Sequence, residues 1–131
     1  HKKITTQHIA DAKKRHPGVK VLTHPECTED VLAVSDFIGS TAEIIDYATK
    51  CEDEEFLIAT EIGVFHELQK RNPDKKFYPL SKDCVCHNMK LTTLMDVYNC
   101  VRGQGGEEIK LDDDVREKAK ACIDTMLTLG E

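Results

Sequence analysis

Short β-branched or apolar runs alternate with segments of helical period along the first eighty or so residues, and that alternation constrains the fold more than any other feature. The first run covers 19–23 (Val19-Lys20-Val21-Leu22-Thr23), the second 56–60 and the third 76–80. Between and around them lie helical patterns. One over 5–16 carries Ile9 and Ala12 behind a threonine N-cap and stops at Pro17-Gly18. Thr28 precedes Val31, Leu32 and Val34, Gly39-Ser40-Thr41 opens a helix bearing Ile44, Ile45 and Tyr47, and Val64, Phe65 and Leu68 lead to Asn72-Pro73. Strands separated by helices pair in parallel, because a hairpin turn cannot join parallel neighbours. The expectation is therefore a small α/β fold, a three-layer αβα sandwich with a parallel sheet, formed by residues 1–131 as one domain.

Beyond residue 90, Leu91, Leu94, Met95, Val97, Tyr98 and Val101 repeat at helical spacing as far as Gly103, and Gly105-Gly106 supplies a turn. Asp112-Asp113-Asp114 places negative charge at the start of a last helix. Its apolar stripe of Val115, Ala119, Cys122, Ile123, Met126 and Leu129, ending at Gly130, is expected to be buried.

Charge and cysteine usage narrow the function classes. With 18 basic against 24 acidic residues the net charge is -6, which offers no field for a phosphate backbone, so nucleic acid is excluded as a partner. No apolar stretch approaches the ~20 residues needed to span a bilayer, and His1-Lys2-Lys3 leads into an amphipathic segment rather than a signal core. A soluble, cytoplasmic protein with no membrane partner is expected. The six cysteines of so regular a chain read as reduced thiols, with Cys100 and Cys122 as small buried hydrophobes.

In an open α/β sheet ligands bind at the carboxyl ends of the strands, and three polar loops follow the three expected strands. They are His24-Pro25-Glu26-Cys27, Thr60-Glu61-Ile62-Gly63 and the segment from Asp83 to Lys90. His24 and Glu26, one residue apart on an extended backbone, would share a side and could act as proton donor and acceptor; His24 could equally be a loop histidine bonded to a backbone carbonyl. Ser40 and Thr41 at a helix start could bind a carboxylate or phosphate, or simply cap the helix. Cys84-Val85-Cys86-His87 lacks the second ligand pair of a structural zinc site, yet one of its thiolates could join a cluster whose other ligands lie elsewhere. Glu61 reads either as a carboxylate orienting a ligand or as a first-turn helix acid.

Taken together, HPEC at 24–27, GST at 39–41 after Asp36-Phe37-Ile38, TEIG at 60–63 and CHNMK at 86–90 resemble the C-terminal part of quinolinate synthases. The resemblance covers most of residues 19 to 95 and is looser over the tail. It implies the third of three similar α/β domains arranged around a [4Fe–4S] cluster that is held by three cysteines, with one iron open to substrate. Such enzymes condense iminoaspartate with dihydroxyacetone phosphate to quinolinate in NAD biosynthesis, and L-aspartate oxidase is the implied supplier of iminoaspartate. By motif, Cys86 matches the last cluster ligand, His24 and Glu26 the active-site histidine and glutamate, and Ser40 and Thr41 the substrate-carboxylate anchors. Cys27 is not a ligand in that pattern. Cys84 is an additional cysteine, expected to point away from the cluster. The other two cluster cysteines are expected outside this chain, the second only a few residues before His1, which would be that motif's trailing histidine. The remaining domains of the same protein are then its partners, and the chain alone would be inactive.

Two other classes stand beside this one. The chain could be an α/β module that binds carboxylates or phosphates without chemistry, or a structural zinc-bearing interaction domain using Cys84, Cys86, His87 and His24.

Overall fold

The structure, a computed structural model, describes residues 1–81 and 84–129; Asp83 and Gly130, named above, lie outside the described residues. The chain divides into two compact units, His1–Met89 and Lys90–Glu131.

The first unit runs α1 (Thr6–Arg15), β1 (Lys20–Thr23), α2 (Glu29–Leu32), β2 (Phe37–Ile38), α3 (Thr41–Lys50), β3 (Glu55–Ala59), α4 (Val64–Arg71) and β4 (Lys76–Pro79). The sheet has the order β2-β1-β3-β4 and every pairing is parallel. Alternation along β1 and β3 sorts the core into two layers, since neighbouring side chains on a strand face opposite ways. Val21, Leu57 and Ala59 pack with Ile9 and Ala12 of α1 and Val31 of α2. Leu22, Phe56 and Ile58 pack with Ile44, Ile45 and Ala48 of α3 and Val64 and Leu68 of α4. Helices therefore cover both faces, the three-layer sandwich that the strand–helix alternation implies. Each fully buried side chain of this size is worth roughly 1.5–3 kcal/mol of transfer free energy, and Phe56, Leu22, Ile44 and Ile58 are all fully buried.

Local chemistry sets the element ends. Thr5 caps α1, its hydroxyl accepting from the His8 N–H while His8 Nδ1 accepts from the Thr5 N–H. Gly18, at φ 82°, takes the left-handed conformation that lets the chain reverse into β1. The β2 strand is absent from the sequence reading because two residues carry no period. Asp36 docks it: its N–H donates to the Val21 carbonyl at 3.0 Å, and its carboxylate accepts from the Val21 N–H at 2.8 Å. The helix expected to carry Val34 is a single turn ending at Leu32, and Val34 is exposed.

Gly39 is required for close approach. A Cβ there would sit 2.8 Å from Phe37 Cε1 and 2.9 Å from Glu43 Cβ. Gly39→Ala should therefore lower the unfolding free energy by about 1–3 kcal/mol, the range typical of overpacking, read as a lower midpoint in urea; an unchanged midpoint would show that the two neighbours yield freely.

The second unit contains α5 (Leu94–Val101), capped by Thr93 and Asp96, and α6 (Asp113–Leu129). The last helix forms where the sequence places it, whereas α5 starts only after the Thr93 cap and leaves Leu91 outside. The stripe expected to be buried on α6 is not: Val115, Ile123, Met126 and Leu129 are exposed, as are Leu94, Val97 and Val101 of α5. Cys100 and Cys122, expected as buried hydrophobes, are exposed as well. Periodicity reports that a helix has an apolar face, and burial additionally needs an element to lie on that face. Among the described residues no helix is long and apolar enough to cross a membrane.

Candidate active site

Parallel strands bring the ends of β1, β2 and β3 to one edge of the sheet, because Thr23 is level with both Ile38 and Ala59. The loops with candidate chemistry leave from that edge.

The segment after β1 is a tight turn rather than extended backbone. The Cys27 N–H donates to the His24 carbonyl at 3.0 Å, with Pro25 at the turn position its fixed φ suits. The turn, not strand alternation, draws His24 and Glu26 together: the Glu26 N–H donates to His24 Nδ1 at 3.2 Å. The His24 N–H in turn donates to the Ala59 carbonyl at 3.2 Å and anchors the turn to β3. Cys27 closes the turn inside the core, where its thiol lies 3.6 Å from the Ala59 carbonyl and burial pushes its pKa up. A buried, protonated thiol suits packing and not ligation.

His1 completes the group. Its Nδ1 lies 2.9 Å from a Glu26 carboxylate oxygen and its Nε2 3.0 Å from the Thr60 hydroxyl. Its ring stacks on that of His24, with centroids 4.3 Å apart and planes within 10°. Among the described residues, His1, His24 and Glu26 form a group of metal-capable side chains whose ligand atoms lie within 4.8 Å of one another. That group does not contain the combination of Cys84, Cys86, His87 and His24 on which the structural-zinc reading depended.

A cavity of about 420 Å³ opens beside this group, with His1, Glu26, Thr60, Glu61, Cys84 and Cys86 in its wall. The loops after β1, β3 and β4 thus meet at one site. Cys84, expected to point away, is in the same wall as Cys86. The two thiols differ in their surroundings. Cys84 packs against the core layer that holds Ile4 and Leu80, and its carbonyl accepts from the Ile62 N–H at 2.9 Å. Glu61 accepts a hydrogen bond from the Gly63 N–H, so its carboxylate serves the start of α4 as well as the cavity.

Ser40 and Thr41 lie at the same sheet edge, after β2, and are not among the residues lining the cavity. Ser40 is the N-cap of α3: its hydroxyl accepts from the Glu43 N–H, and the Glu43 carboxylate accepts from the Ser40 N–H at 2.7 Å. Contact with Ser40 holds the Glu43 carboxyl below its usual pKa. Thr41 is the first helical residue and is exposed, so the capping role falls to Ser40 alone.

The sequence reading left His1 without a role and gave Thr60 none. Nothing local in the chain could assign them, since His1 meets partners 25 and 59 residues away. The available signals were the position of Thr60 after a strand, within TEIG, and the place of His1 as a trailing histidine in the family pattern.

The family model for quinolinate synthetase A protein matches residues 1–128. The quinolinate synthase of Alkaliphilus metalliredigens (strain QYMF) is 45% identical over 129 residues, 98% of this chain and 42% of that protein. That of Caldicellulosiruptor bescii is 42% identical over 130 residues, 99% of this chain and 43% of the relative. The enzyme of Thermodesulfovibrio yellowstonii is 40% identical over 129 residues, again 98% of this chain and 42% of its own length. The chain thus spans about two fifths of the length of these curated relatives. A model match over nearly every residue, joined to relatives that share some two positions in five, makes this chain a member of the quinolinate synthetase A protein family.

Proposed function

We propose that this chain is one domain of a quinolinate synthase and that the cavity beside His1 and Glu26 is its part of an active site where iminoaspartate and dihydroxyacetone phosphate are joined. The observation that carries this reading is the convergence of the loops after β1, β3 and β4, with carboxylate, imidazole, hydroxyl and thiol groups, on one cavity. The family membership supplies the reaction; the remaining domains of the same protein would supply the rest of the site. Iminoaspartate is unstable enough in water that an aspartate-oxidising enzyme is the natural source, and L-aspartate oxidase fits that class.

A [4Fe–4S] cluster suits the donor set. Cys86 offers a half-exposed thiol in the cavity wall, and iron–sulfur ligands need not be contiguous in sequence. Cys86 would hold one iron, with two further cysteines coming from outside this chain. When bound, the cluster supplies Lewis-acid polarisation of substrate oxygens without net electron transfer.

The chain's own groups handle protons and charge. Glu26, with its side chain 72% exposed, is free to approach a substrate while hydrogen-bonded to His1. As a carboxylate it can accept a proton from carbon or nitrogen during condensation. His24 accepts the Glu26 N–H at Nδ1, which leaves its neutral ring with the proton on Nε2, where it can donate a hydrogen bond to a substrate oxygen. Thr41, at the N-terminal turn of α3, offers a hydroxyl and the positive end of the helix to a substrate carboxylate.

Activity of the full-length protein, assayed anaerobically with both substrates, tests the reading directly; absence of quinolinate from a cluster-replete preparation would refute it. Paired variants test the anchors. Because Ser40 is the cap, Ser40→Ala should cost about 0.5–2 kcal/mol of stability, whereas Thr41→Ala should stay within about 0.5 kcal/mol of the parent and weaken dicarboxylate binding. Calorimetric titration with a dicarboxylate analogue reads the second effect, and unchanged affinity in Thr41→Ala would remove Thr41 from the binding site.

A further inference from the structure

We infer that Thr60 and His1 form a positioning relay that fixes the Glu26 carboxylate in the cavity wall and the His24 ring beside it, with the proton order Glu26 carboxylate, His1 Nδ1–H, His1 Nε2, Thr60 O–H. The inference rests on the proposed active site and adds two residues to it that the family resemblance does not assign a role.

The order follows from what each group can donate. An ionised carboxylate only accepts hydrogen bonds, so the 2.9 Å contact between Glu26 and His1 Nδ1 requires a proton on Nδ1. With the imidazole neutral, Nε2 is bare, and the Thr60 hydroxyl donates across the 3.0 Å contact. Thr60 is 3% exposed, and its place directly after β3 holds it to the sheet. One end of the relay is thus set in the core and the other reaches an exposed carboxylate.

The second element is the stack. His1 lies parallel to His24 at 4.3 Å, and His24 is itself held by the Glu26 N–H at its Nδ1. The two rings therefore carry their protons on different nitrogens, Nδ1 in His1 and Nε2 in His24. Rotation of the His1 ring would break both of its hydrogen bonds and remove the surface on which His24 rests. Thr60 acts on both members of the proposed acid–base pair through one ring.

The test uses the full-length protein and separates the relay from the reaction. In the cluster-free form, free of paramagnetic iron, imidazole nitrogen shifts of 15N-histidine protein report the tautomer of each ring. The expected result is Nδ1–H for His1 in the parent and in Thr60→Ser, and loss of that preference in Thr60→Val, which keeps the shape and removes the donor. In the cluster-replete form, Thr60→Val should lower kcat by about tenfold to a hundredfold, as removal of an orienting partner commonly does, with KM nearly unchanged, and Thr60→Ser should restore it. A His1 with Nε2–H in the parent, or a Thr60→Val protein with parental tautomer and kcat, would overturn the relay. An equal kcat loss in Thr60→Ser and Thr60→Val would assign Thr60 to packing alone and overturn it too. If the parent forms no quinolinate, the proposed function fails, and the tautomer measurement still decides the relay.

Discussion

Replacing Cys86 by alanine in the full-length protein is expected to abolish assembly of an intact [4Fe–4S] centre, with iron and acid-labile sulfide falling towards background, whereas Cys84→Ala retains both. A cluster held by three protein thiolates has none to spare. Both thiols line the cavity, so exposure to the site does not separate them. Their anchoring does. Cys84 packs against the core, and its backbone is tied at both ends, its N–H donating to the Ser81 carbonyl at 3.3 Å and its carbonyl accepting from Ile62. Moving that sulfur to an iron would take it out of the apolar layer and pull on the start of α4. Anaerobic iron and sulfide quantification on the two variants checks the assignment. Full cluster content in Cys86→Ala, or loss confined to Cys84→Ala, would exchange the roles of the two residues.

Glu26→Gln should lower kcat by about a hundredfold to ten-thousandfold, the range in which a positioned general base contributes. The substitution keeps the size of the side chain and removes its capacity to take a proton. Stability should change little, because the Glu26 side chain is 72% exposed and its contact with His1 is an exposed hydrogen bond. Steady-state kinetics beside a denaturation midpoint separate the two effects: a kcat within a few-fold of the parent would exclude Glu26 as the base, and loss of the folded state would show a structural role that its exposure does not suggest.

Why the fold was legible and part of the site was not has a physical basis. Strand alternation is a local property of the chain, and Val21 against Leu22, or Leu57 against Phe56, already divides the two core layers in the sequence. Caps are local too: Thr5, Ser40 and Thr93 each close a box with the residue three positions on. The loops after the strands could be assigned to one sheet edge because parallel topology requires it. The conformation within a loop is not fixed by that rule. Extended alternation is the wrong geometry for His24 and Glu26, where Pro25 makes a turn. The contacts of His1 are fixed only by folding, since they join residues 1, 24, 26 and 60. On α5 and α6 the apolar period was read correctly and its burial was not, because a helix's own sequence does not contain the surface that covers it.

Those two helices and the segment between them also govern how the chain behaves as a colloid. Leu94, Val101, Ile109 and Leu129 are each more than four-fifths exposed, so a preparation of these 131 residues presents oily side chains to water while the net charge of -6 keeps molecules apart. Salt acts against both protections at once, shortening the reach of the repulsion to about 10 Å at 0.1 M and, for sulfate or phosphate, strengthening the attraction between apolar faces. Low ionic strength without such anions is the solvent in which the chain stays dispersed, and salting-out is the condition it tolerates least.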